Sequence, residues 1–279
     1  MRQLETLFLD GTRGRLYAVL WSPPFGVRSR GSILFVHPFA EELNKSRRTV
    51  AVQARALADV GWSVLQVDLY GCGDSAGDLA DARWECWLQD VDHCCDWLSG
   101  RTGSSVVLWG LRLGAIIAAQ VSERRGSSCE RVLLWQPMLN GSGMLTTLLR
   151  QQAVADIGSG ATARKAGELR QSLLEGEAME LSGYPISPEL ACDINDASLE
   201  TILAPPHRVD WLDVQRSDIG AGSNRAEILR QTWMSKGARV CYHQIQGQQF
   251  WSAGEIVECR ALIDHTSRAL ALQSGSSSL

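Results

Sequence analysis

The chain has 279 residues, 45% of them hydrophobic, and carries 27 Lys and Arg against 31 Asp and Glu for a net charge of −4. That length suits one large domain more than two. Interspersed charges of both signs exclude a basic nucleic-acid groove and a cationic membrane surface. The eight cysteines form no paired Cys-x-x-Cys units, so reduced thiols, a cytoplasmic setting and no metal site or cofactor are expected. The first residues lack the apolar core of a secretion signal, and no apolar run is long enough for a bilayer span, so no membrane insertion is expected.

In chain order, residues 5–10 and 14–21 read as antiparallel strands around the Gly11–Gly14 turn. Residues 32–36 (SILFV) are continuously apolar, as in a strand buried on both faces. A helix is expected from about Ser46 to Val60, with Val50, Ala54, Leu57 and Ala58 on its apolar stripe. Residues 62–68 form the next strand and a glycine-rich turn, 69–77, follows. Trp84, Trp87, Leu88, Val91, Cys95 and Leu98 mark the buried face of a second helix. Residues 106–111 and 131–135 read as buried strands. Between 139 and 180 the pattern is helical, with a break at 158–160, and 183–188 reads as a loop. Strand rhythm returns at 208–214 and 239–245, separated by a helix near 225–237. A closing helix is expected over 255–272.

Strands alternating with helices imply a mostly parallel sheet with helices on both faces. Gly110-Leu111-Arg112-Leu113-Gly114 has the outline of a nucleophile elbow, Gly-x-Ser-x-Gly, but Arg112 occupies the serine position. An elbow after the fifth of eight strands, and an insertion after the sixth, is the order of an α/β-hydrolase fold. The domain then spans 1–273, with a helical cap insertion at 138–204 and a disordered tail at 274–279.

Residues 37–48 (HPFAEELNKSRR), 68–78 (DLYGCGDSAGD), 82–87 (ARWECW) and the elbow are similar to the exosortase A system-associated hydrolase 2 family. The resemblance implies a bacterial cytoplasmic protein working beside exopolysaccharide and exosortase/PEP-CTERM sorting functions, near a related hydrolase. The family's hydrolase label rests on fold, which is weak support for chemistry.

A serine hydrolase needs a nucleophile, a histidine base, an orienting acid and an oxyanion hole. Leu113 and Phe39 or Ala40 stand where the oxyanion N–H groups are expected. A guanidinium at Arg112 has no lone pair with which to attack a carbonyl. Gln249 stands where the loop after the last strand normally carries the histidine, and Asp218 is placed for the acid. Two departures of three favour a site without acyl-enzyme chemistry. His37 reads as a loop-shaping residue with a base or hydrogen-bond donor as the alternative, and His243 as a packed or edge strand residue with a displaced base as the alternative.

Glu41 and Glu42 either form a solvated acidic loop before the helix or pair with Arg112, and a buried glutamate there is also a candidate base. Arg112 either holds an anionic ligand at a helix N-terminus, with Gln249 beside it, or is neutralised by Glu41, Glu42 or Asp218. The function expected is binding of an anionic acyl, phosphate or glycan-linked small molecule. The alternatives are an ester or thioester hydrolase or acyltransferase with non-standard water activation, and a scaffold for the neighbouring hydrolase.

Overall fold

The apolar runs of the sequence become the middle of an eight-stranded sheet. A computed structural model describes residues 3–129, 131–159, 164–203, 208–216 and 224–271. The elements are β1 (Gln3–Asp10), β2 (Arg15–Ser22), β3 (Gly31–Val36), α1 (Glu41–Asp59), β4 (Trp62–Val67), α2 (Trp84–Thr102), β5 (Val106–Leu111), α3 (Leu113–Arg125) and β6 (Arg131–Trp135). After these come α4 (Ser142–Ser159), α5 (Ala166–Leu174), β7 (Met179–Leu181), β8 (Tyr184–Ile186), α6 (Pro188–Asp196), β9 (Arg208–Gln215), α7 (Asn224–Ser235), β10 (Arg239–Gln246) and α8 (Arg260–Ala271).

The sheet order is β1-β2-β4-β3-β5-β6-β9-β10. β1–β2 and β2–β4 pair antiparallel and the other neighbours pair parallel. This is the α/β-hydrolase fold. β3, β5 and β6 are buried along nearly their whole length because helices cover both faces. On one face Phe35, Trp109, Trp135 and Phe250 form a chain of rings with centroids 4.5 to 6.1 Å apart. On the other, the expected α2 stripe of Trp84, Trp87, Leu88, Val91, Cys95 and Leu98 is entirely buried. Each such side chain contributes roughly 1.5–3 kcal/mol of burial.

Three boundaries differ from the sequence expectation. α1 begins at Glu41, five residues before Ser46, and its N-cap Ala40 makes no side-chain cap bond. Glu41 and Glu42 therefore belong to the first helical turn, where carboxylates complement the helix dipole. The helical expectation for 139–180 breaks into α4 and α5. A β7–β8 hairpin then takes 179–186, where part of a loop was expected. α8 starts at Arg260 rather than 255. The preceding segment is held against α1, where Val257 accepts a hydrogen bond from Thr49 (3.1 Å) and Glu258 pairs with Arg48 (2.6 Å). Asp218 and the tail at 274–279 lie outside the described residues. No helix among the described residues is long and apolar enough to cross a membrane.

Candidate functional site

β3 and β5 are neighbours, so the loops leaving their C-terminal ends meet at one edge of the sheet, where ligands bind in open α/β sheets. The β5 loop is a single residue, Arg112, before α3 begins. Its backbone sits at φ 57°, ψ −116°, a region that costs a non-glycine residue roughly 1–3 kcal/mol. Surrounding bonds hold it there: Arg112 N–H donates to the Trp135 carbonyl (3.0 Å), and the Arg112 carbonyl accepts from Met138 N–H (3.3 Å). Glycine is required on the far side of the turn. A Cβ on Gly114 would lie 2.3 Å from the His37 carbonyl oxygen. The elbow is thus folded tightly against the β3 loop.

The β3 loop carries the second strained non-glycine residue of the site, Ala40 at φ 53°, ψ −133°. Phe39, Ala40 and Leu113 are all buried. Their backbone N–H groups donate to no acceptor among the described residues. Buried N–H groups in proteins nearly always have a partner, so these donors on two adjoining loops mark this edge of the sheet as the candidate site.

The tip of the elbow carries Arg112 where a serine would be expected. Arg112 turns its Nε–Nη2 edge to Glu42, with Nε 3.2 and 3.3 Å from the two carboxylate oxygens and Nη2 3.2 Å from Oε1. The two side chains are 19% and 14% exposed, so the pair is largely withdrawn from water. Burial raises the Glu42 pKa and the Arg112 charge only partly offsets it. The guanidinium also lies 5.6 Å from the centroid of the Trp251 ring. Of the two arrangements open for Arg112, pairing with an internal carboxylate is the one formed, and Glu42 is its partner. As a base Glu42 is poorly placed, because both of its oxygens already accept from Arg112.

The remaining candidates separate cleanly. His37 is buried, with Nδ1 2.7 Å from the Pro38 carbonyl and Nε2 accepting from Leu69 N–H at 3.1 Å. With both nitrogens engaged and its pKa lowered by burial, His37 is a neutral brace of the loop, which corrects its candidacy as a base. Glu41 points to the β7–β8 hairpin, accepting from Tyr184 Oη (3.1 Å) and Asn44 Nδ2 (3.4 Å). Gln249 donates from Nε2 to the Val214 carbonyl (3.3 Å), so its amide is tied to the end of β9. His243 packs on His265 of α8. The thiol of Cys72, in the glycine-rich turn, is pushed up to about 12 by burial and is no nucleophile at neutral pH. Among the described residues no cluster of His, Cys, Asp or Glu is arranged for a metal ion.

Sequence reasoning missed Trp251, Tyr184, Met144 and Leu148. Trp251 had a local signal, standing two residues after Gln249. The others come from the insertion after β6, where nothing in the pattern tells which helical face turns toward the elbow. Phe39, Glu42, Met144, Leu148 and Trp251 enclose a cavity of about 80 Å³. A larger one, about 380 Å³, shares Phe39 with it and is walled by Ala40, Asn44, Leu79 and Tyr184; Arg112 and Leu113 line neither.

Comparison with known proteins agrees with this frame. Residues 27–173 match the family described as serine aminopeptidase, S33. The human protein ABHD12B is 35% identical over 112 residues, which are 39% of this chain and 30% of that protein, so the match spans less than a third of the human relative. A carboxyl esterase from Bacillus coagulans superposes with a TM-score of 0.67 at 13% identity, covering 99% of each chain. Est1E from Butyrivibrio proteoclasticus, solved with ferulic acid bound, gives 0.66 at 13% identity over 97% of this chain and 100% of that one. These two likenesses establish fold alone.

Proposed function

For a chain that belongs to the serine aminopeptidase S33 family of α/β hydrolases, we propose a binding role without acyl-enzyme chemistry. The ligand is a small molecule with an anionic group, acyl, phosphate or glycan-linked. The observation that carries this reading is the combination of free Phe39, Ala40 and Leu113 N–H groups with a paired arginine where the nucleophile would stand. The donors stabilise negative charge on an oxygen whether or not a covalent bond forms. The Arg112–Glu42 pair is neutral as a unit, and Arg112 Nη1 has no partner among the described residues. Together with the N-terminus of α3, this leaves the receptor favourable to an anion. The 380 Å³ cavity adjoins the site at Phe39 and Ala40 and has room for the body of a ligand held at those N–H groups. We assign the protein to a cytoplasmic step of an exosortase- and exopolysaccharide-associated pathway on the resemblance of its first β–α segments to that family.

The test pairs reactivity with binding. Wild-type protein is incubated with a fluorophosphonate probe and with p-nitrophenyl butyrate, and titrated with butyrate and inorganic phosphate. No covalent adduct and no burst are expected, together with an anion affinity that falls about tenfold in Arg112→Ala, as for loss of a charge-assisted hydrogen bond. A stoichiometric adduct on a serine, or an anion affinity unchanged by Arg112→Ala, overturns the reading.

A further inference from the structure

The cavity of about 380 Å³ beside Phe39 and Ala40 is lined by two unlike sets of groups. Phe39, Leu43, Leu79 and Pro185 are apolar. Asn44, Asp78 and Tyr184 are polar, and the glycine-rich turn adds the bare backbone of Gly73 and Gly77. Phe39 and Ala40 are buried while Asn44, Asp78 and Pro185 are exposed, so the cavity leads from the N–H groups out to solvent.

The hydrogen bonds already made within the polar set leave a definite remainder. Asn44 Nδ2 donates to Glu41 (3.4 Å) and to Tyr184 Oη (3.1 Å), and Tyr184 Oη donates its own proton to Glu41 (3.1 Å). Asn44 Oδ1, the second lone pair of Tyr184 Oη and the Asp78 carboxylate receive no hydrogen bond among the described residues. The N–H groups of Gly73 and Gly77 likewise donate to no acceptor among them. An alkyl chain in this cavity would cover donors and acceptors without pairing them, which is costly. A body with a second negative charge would meet the carboxylates of Asp78 and Glu41. A ring that carries hydroxyls suits both sets: each hydroxyl donates and accepts, and the C–H faces of the ring cover the apolar side chains.

We infer that the ligand is a sugar acid, an assignment that rests on the reading of the Phe39 and Ala40 N–H groups as an anion receptor. Its single carboxylate sits at those N–H groups and its neutral, polyhydroxylated ring fills the cavity. Asn44 and Tyr184 are the residues that select hydroxyls over an alkyl chain.

The full-length protein is titrated calorimetrically with glucuronate, glucose, butyrate and inorganic phosphate. Glucuronate is expected to bind about tenfold more tightly than butyrate, as two added neutral hydrogen bonds give, and more tightly than glucose, which lacks the charge. Tyr184→Phe and Asn44→Ala each narrow the glucuronate-to-butyrate ratio about fivefold. Asn44→Trp, at an exposed helix position, fills the cavity and removes the preference. The sugar-acid assignment is overturned if glucuronate binds no more tightly than butyrate, if glucose matches glucuronate, or if the ratio is unmoved by these variants. Binding of butyrate or phosphate that weakens in Arg112→Ala, without a preference for glucuronate, overturns this assignment alone and leaves the anion receptor standing. No binding by any of the three anions overturns both. Should Tyr184→Phe loosen the β7–β8 hairpin, Asn44→Ala and Asn44→Trp decide.

Discussion

Replacing Glu42 with alanine removes three hydrogen bonds of 3.2–3.3 Å and leaves the Arg112 guanidinium only 19% exposed with no counter-charge. Breaking a fully buried pair costs about 3–5 kcal/mol, whereas exposed pairs are worth about 0–1 kcal/mol. A pair exposed to this small extent falls between, and a loss of about 2 kcal/mol is expected. For a domain of this size that lowers Tm by about 4–8 °C. Arg112→Ala retains the Cβ, so the backbone strain of the elbow is unchanged. It leaves Glu42 buried but able to take up a proton, and costs less, about 1 kcal/mol. The double variant is expected to be more stable than the sum of the two losses, which thermal unfolding of all four proteins measures. The pH dependence adds a second check. Burial raises the Glu42 pKa above its unfolded value, so the native chain holds more protons in the window above about 4.3. Stability therefore falls as pH rises through that window, and Glu42→Ala reduces that slope. Single losses that add within about 0.5 kcal/mol, with an unaltered pH profile, refute the reasoning.

Three further outcomes follow from the same geometry. Arg112→Ser alone is expected to stay inactive toward p-nitrophenyl butyrate, because the Gln249 amide takes no proton; Arg112→Ser with Gln249→His is expected to hydrolyse it slowly, and equal activity in the two variants would place the base elsewhere. Gly114→Ala puts a Cβ 2.3 Å from the His37 carbonyl oxygen and 2.4 Å from that of Val36. It is expected to cost more than about 3 kcal/mol or to prevent accumulation of folded protein, as soluble yield and circular dichroism would report. The folded-state pKa of His37 lies below its unfolded value. Its contribution to stability is therefore present above about pH 6.5 and lost as pH falls. Its imidazole resonances should titrate below the ordinary histidine value, and titration at or above 6.5 would contradict the brace role.

Much of the fold was legible in the sequence because its signals are local. The runs at 32–36, 106–111 and 131–135 are apolar without alternation, as strands covered on both faces must be, and the α2 stripe follows the 3.6-residue period. The start of α1 was not legible, because Ala40 supplies no side-chain cap and 41–45 (EELNK) is polar enough to pass for a loop. The β7–β8 hairpin escaped because strands of three residues, one of them holding Pro185, give too short a pattern to recognise.

At the site, the sequence by itself determined the strand-turn-helix outline of the elbow and that arginine stands at its tip: Gly110 and Gly114 bracket Arg112, and a guanidinium has no lone pair with which to attack a carbonyl. Only the tertiary structure decided what Arg112 does. Its partner lies 70 residues away in the first turn of α1, and Glu41, adjacent in sequence, points instead to Tyr184. Successive residues on a helix are rotated by about 100° around its axis, so the choice between Glu41 and Glu42 depends on the rotational phase of α1 against the sheet. That phase is fixed by the burial of Leu43, Val50, Ala54 and Leu57 and not by any property of the two glutamates.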